Sequence, residues 1–249
     1  MVARIEGADP MQIKSHMMVS TLVLLAASAT ALASGGGSMG GGAMGGGASF
    51  GNSTARSPAD QAVDFYNRGV REVGKAKDHE KDATKASSDD RKVAKALEKA
   101  QKSYASALED FQKAVDRNEA LFQAWNYIGF CQRHLGHYED ALTAYGKALD
   151  LNPKYGEAYE YRAEAYLGLD RLEDAKASYL QLFASARPLA DELMASMRHW
   201  IEEHQKDAKG VNADDLAAFA KWVDERTAIA QQTASLWPGP ASKKPVDWN

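Results

Sequence analysis

From Ser57 to about residue 235 the apolar positions step by three and four, the spacing of one helical face, and no strand is apparent. Ala107, Ala141 and Ala175 recur at intervals of 34 residues. Four residues after each stands an aromatic, Phe111, Tyr145 or Tyr179, and three further on Ala114, Ala148 or Leu182. The small residues admit a neighbouring helix at close range, and the aromatic fills the space beside it. Ahead of the middle helix, Trp125, Ile128 and Gly129 mark a partner helix; Gly136 ends that helix and Pro153 stops the next. The pattern predicts helix pairs repeating every 34 residues. The third unit keeps Tyr159, Ala163, Tyr166, Leu172, Ala175 and Tyr179, but Arg162 replaces an apolar residue and Pro188 arrives one position late.

The first pair is longer. Phe65-Tyr66-Asn67-Arg68-Gly69 begins its first helix, and a charged insertion from Lys75 to Lys95 separates it from Ala107. Ser57-Pro58-Ala59-Asp60 is a strong helix start, with a hydroxyl cap, a first-position proline and an acid in the first turn. Ser87-Ser88-Asp89-Asp90 is a second. The two predict an elongated helical hairpin at 75–100, each helix about 29 residues and about 43 Å long. Ala83, Ala86, Val93, Ala96, Leu97 and Ala100 form its seam, and Lys75, Lys77, Lys81 and Lys85 interleave with Asp78, Glu80 and Asp82 as a salt-bridged face. Beyond the repeats, Leu189, Leu193, Met197, Trp200 and Ile201 predict one helix; Gly210 breaks it, and Asn212 caps another carrying Leu216, Phe219, Ala220 and Val223. A repeat stack needs its last face covered, so residues 188–235 are expected to be capping helices. Residues 236–249, with Trp237-Pro238-Gly239-Pro240, are expected to be an irregular tail.

The middle unit resembles the tetratricopeptide repeat at Trp125, Ile128, Gly129, Gly136, Tyr138, Ala141, Tyr145, Ala148 and Pro153, departing from it at Gln132, where tyrosine is usual. The resemblance implies an all-α solenoid of about three repeats over 57–187. It also implies a concave groove lined by the first helix of each pair. By position, that groove would present Tyr66, Val70 and Val73, then Asn126, Phe130 and Arg133, then Glu157, Glu160 and Glu164. The subgroup that clamps acidic chaperone tails uses Lys and Asn where this chain has Tyr66 and Val70, so that specificity is not expected.

Composition narrows the function further. A net charge of −4 and a pI near 5.9 argue against a general nucleic-acid binder. One cysteine, Cys131, excludes a disulfide within the chain. Lys14 and His16 precede an uncharged apolar run from Met17 to Ala33 that ends Ala31-Leu32-Ala33. Residues 1–33, starting at Met1 or Met11, read as a cleaved signal peptide, the apolar run being shorter than a spanning helix needs, with a retained anchor as the alternative. Residues 34–56, rich in Gly, Ser and Met, read as a flexible linker. The expected location is the periplasm or the cell exterior, with no stable membrane span after cleavage.

No phosphate loop, nucleophile elbow or metalloprotease motif is present. Cys131, His134 and His137, stepped by three, are the sharpest set with metal-ligand chemistry, set against a buried thiol beside surface histidines. The reading is a non-enzymatic module, an adaptor or assembly factor, that binds a peptide or protein in its groove without a cofactor. The competing readings are a self-associating structural subunit that packs through the hairpin, and a metal-binding protein using Cys131, His134 and His137.

Overall fold

A computed structural model describes residues 56–207 and 210–234. The expected signal segment and the tail lie outside these residues, as does the linker apart from Arg56. The described residues form eight helices and no strand: α1 (Pro58–Lys85), α2 (Asp90–Arg117), α3 (Phe122–His134), α4 (Tyr138–Leu151), α5 (Gly156–Gly168), α6 (Leu172–Ser185), α7 (Arg187–Lys206) and α8 (Ala213–Thr233). Each packs on the next as an antiparallel pair, and α3, α5 and α7 also meet along one side. This is the tetratricopeptide-like array that the 34-residue period predicts, with α1, α3, α5 and α7 as inner helices.

The helix boundaries follow local chemistry. Ser57 Oγ accepts the Asp60 amide at 3.1 Å and Asp89 Oδ1 the Lys92 amide at 3.1 Å, so both expected starts are N-caps. Asn212 does the same for α8 at 2.8 Å. Gly136 leaves α3 at φ +82°, and 34 residues on, Asp170 leaves α5 at φ 56°. At the far end Arg187 donates to Ala230 O at 3.0 Å and Thr233 Oγ1 at 3.1 Å, supplying late acceptors of α8.

The contact that sets the repeat is glycine against an aromatic ring. A β-carbon on Gly129 would stand 2.6 Å from the Tyr145 ring, and one on Gly69 2.7 Å from Phe111. Gly69 and Phe111 therefore do in α1 and α2 what Gly129 and Tyr145 do in α3 and α4. The long hairpin is a tetratricopeptide-like pair with an extension spliced into it. Aligned on these contacts, residues 75–85 and 90–103 are the excess, about 16 and 21 Å of helix respectively. Ala83 and Ala100 are buried along the seam; Ala86, Val93, Ala96 and Leu97 are half-buried.

One core cluster joins α1 to α4 around Tyr104, Phe111, Ile128 and Phe130. A second joins α5 to α8 around Tyr179, Leu193, Trp200 and Phe219. Trp200 Nε1 donates to Leu167 O at 2.9 Å, locking α7 onto α5. The capping pair is therefore stacked like a further repeat, its first helix continuing the inner row.

Candidate functional site

The glycine register aligns the inner helices. Three residues before Gly69, Gly129 and Ala163 stand Tyr66, Asn126 and Glu160. Val70, Phe130 and Glu164 follow in the next row, then Val73, Arg133 and Leu167. The expected trio on α5 is thus offset by one turn: Glu157 corresponds to Gln123, and Leu167 completes the row. Glu157 is exposed, whereas Glu160 and Glu164 are 2% and 5% exposed. Two of the three expected carboxylates are built into the stack.

Their burial has a partner in one case only. Glu164 ion-pairs with Arg133 Nη2 at 2.9 Å and accepts Ser196 Oγ from α7 at 2.7 Å. Arg133 also donates to His134 Nε2 at 3.4 Å, and His134 Nδ1 meets Glu80 Oε1 of α1 at 3.1 Å. Arginine only donates and a carboxylate only accepts, so His134 is neutral and carries its proton on Nδ1. Burial lowers its pKa, which agrees. A polar chain thereby crosses all four inner helices, from Glu80 through His134, Arg133 and Glu164 to Ser196. Burial works against the Glu80 carboxylate, but its contact with His134 outweighs this and holds its pKa below the usual range.

Glu160 has no ion-pair or hydrogen-bond partner among the described residues. Burial, then Glu164 and Glu192, push its pKa up to about 9, so it is protonated at neutral pH. Asn126, 2% exposed, leaves Oδ1 without a partner while it lies beside the Tyr155 hydroxyl. At the α1 end the wall is aromatic: Tyr66 meets Phe111 and Tyr127 edge-on, both at 5.7 Å. Burial and the nearby Tyr127 raise the Tyr66 pKa to about 12. Val70 is half-buried beside it and Val73 buried.

The hairpin extension contributes to this face as well. Lys77 Nζ lies 5.0 Å from the centroid of the Phe130 ring, and burial lowers its pKa. Glu80 thus turns inward and Lys77, though exposed, lies over the Phe130 ring, while Lys75, Lys81 and Lys85 pair locally with Glu72, Asp78 and Asp82 as expected for a solvated face. Lys77, Glu80, His134, Glu192 and Ser196 were not among the expected groove residues. Positions 66, 70, 73, 77 and 80 are one unbroken helical stripe, and following it past Val73 would have found the first two.

Cys131, His134 and His137 do not converge. Cys131 lies in the core with its thiol pKa raised by burial, His134 is engaged by Glu80, and His137 Nδ1 contacts Gln132 at 2.7 Å. No group of three metal-capable side chains occurs among the described residues. Arg162, the apolar-site exception, lies over Tyr159 and Tyr166, 5.0 and 5.9 Å from their centroids.

Residues 122–155, which span α3 and α4, match the family model of the tetratricopeptide repeat. That unit is a tetratricopeptide repeat, and the helix pairs on either side stack in register with it. No curated protein matches the chain significantly. Similar solved structures include the first tetratricopeptide domain of Spaghetti (RPAP3) bound to the HSP90 peptide SRMEEVD. It is 18% identical, covers 63% of this chain and 95% of that one, and has a TM-score of 0.32. Another is the TPR2B domain of yeast Sti1 in its pHsp70 complex, 10% identical over 61% of this chain and 98% of that one, with a TM-score of 0.30.

Proposed function

We propose that the inner face of the array binds a segment of a partner protein, non-covalently and without turnover. Asn126 and Glu160 carry this reading. They occupy the same register on adjacent inner helices and both are buried; Asn126 leaves its Oδ1 unpartnered, and Glu160 has no ion-pair partner among the described residues. Unsatisfied buried groups cost on the order of 1–3 kcal/mol each, and a ligand that completes their bonding gives a reason for keeping them. The aromatic wall at Tyr66 and Tyr127 supplies apolar anchoring at the other end. The reading includes an exported protein acting as an adaptor or assembly factor, on the strength of the apolar run at residues 17–33.

The test is affinity capture with rim substitutions the fold tolerates. Glu157→Lys with Glu192→Lys changes the groove but leaves the Arg133–Glu164 pair intact, whereas reversing Glu164 would strand Arg133. A partner held by the native chain and by Leu180→Lys on the outer helix α6, but lost by the rim variant, supports groove binding. A partner kept by the rim variant and lost when the hairpin tip is altered would instead support a structural subunit docking through α1 and α2.

A further inference from the structure

The last turn of α8 stands at one edge of the inner face. Arg187, the first residue of α7, donates to Ala230 O at 3.0 Å and Thr233 Oγ1 at 3.1 Å, so α8 ends beside the start of α7. From there the starts of the inner helices follow one another along the same edge. A β-carbon on Gly156, the first residue of α5, would stand 2.6 Å from Leu189 of α7. The Phe122 ring, at the start of α3, meets Tyr155 edge-on at 4.9 Å. Beyond them lies the aromatic wall, where Tyr127 of α3 meets Tyr66 of α1 at 5.7 Å. One turn before Tyr66, Val63 is 51% exposed. Tyr66, Phe122, Tyr127 and Tyr155 are each half-buried, so part of every ring stays uncovered.

Rows of open aromatic rings favour proline and tryptophan, which offer large rigid surfaces at little cost in conformational freedom. Residues 235–249, which continue from α8, carry Trp237, Pro238, Pro240, Pro245 and Trp248. At about 3.3 Å per residue, Trp237 can reach about 10 Å from Ala234 and Trp248 about 46 Å. Inner helices packed at about 8–10 Å put α1 about 30 Å from α7, within the second reach. We propose that residues 235–249 dock back across the inner face of their own chain, the first prolines along Tyr155 and Phe122 and Trp248 against Val63, Tyr66 and Tyr127. A tethered segment meets its site at an effective concentration on the order of millimolar, so contacts too weak to hold separate molecules suffice. This goes beyond the groove reading, because the contact belongs to the isolated chain. A partner that uses the same face binds by displacing the segment.

The experiment is fluorine NMR of the full chain labelled with fluorotryptophan. Trp237→Phe and Trp248→Phe assign the two signals of the segment. Both should lie away from their positions in urea, be shielded from a soluble gadolinium chelate, and stay so on dilution. Val63→Lys, at an exposed position, should leave the melting transition intact and return the Trp248 signal to its urea position with loss of shielding. Leu180→Lys on the outer helix α6 should move neither signal. Unshielded signals at their urea positions in the native chain overturn the proposal, as does shielding of Trp248 that survives Val63→Lys. Shielding lost on dilution would seat the segment on a second copy, and shielding lost only with Leu180→Lys would seat it on the outer face; either overturns the proposal. Groove binding of a partner is judged separately by the capture experiment.

Discussion

A β-carbon on Gly129 would lie 2.6 Å from the Tyr145 ring, and that ring is itself fully buried. Gly129→Ala should therefore destabilise the protein by about 1–3 kcal/mol, seen as a lower urea midpoint. Adding Tyr145→Leu should recover part of that loss, because the smaller side chain vacates the space. Glu160 makes the second residue-level prediction. In the unfolded chain its carboxyl ionises near 4.5, whereas the folded protein holds the proton up to about 9. Between these values the native state binds more protons than the unfolded state, so stability falls as pH rises and levels off above about 9. Glu160→Gln removes that slope. The melting temperature of the variant should exceed that of the native chain by a margin that widens from about pH 5 to pH 9.

The helix pairs were legible because their cause is local and periodic. Gly129 with Tyr145, Gly136 and the Ser57 and Asp89 caps each announce a boundary or a contact in a few residues. The seam of the hairpin was legible for the same reason. What was not legible is where the extension leans. Lys77 and Glu80 lie in an alternating charge run that locally reads as a solvated face, and their contacts depend on Phe130 and His134, more than 50 residues away. Glu80→Ala should thus cost about 1–3 kcal/mol by leaving the buried His134 N–H without its acceptor. Asp82→Ala, with a loose pair to Lys85 at 3.7 Å in solvent, should change stability by no more than about 0.5 kcal/mol. Chemical denaturation of the two variants checks this difference. The α5 trio was misregistered by one turn because a helix face admits several spacings, and only the Gly69, Gly129 and Ala163 alignment selects one.

Across the whole molecule, the polar chain from Glu80 to Ser196 ties the four inner helices together and gives the array a single internal reference. Its centre is the buried Arg133–Glu164 pair. Arg133→Met alone should destabilise by about 3–5 kcal/mol, because it strands the buried Glu164 carboxylate without its counter-charge. Arg133→Met with Glu164→Leu should recover most of that loss, which separates the cost of a stranded charge from the value of the pair. Unpartnered atoms remain beside this chain at Asn126 Oδ1 and within it at Arg133 Nε.

The most direct measurement is a photo-crosslinking map of the native chain bound to its captured partner. A photoreactive residue would replace Glu157 on the groove rim, Leu180 on the outer face of α6, or Ser88 at the hairpin tip. The account predicts adducts from position 157 and none from 180 or 88. Adducts confined to 88 or 180 would contradict it and place the contact on the hairpin or the outer helices.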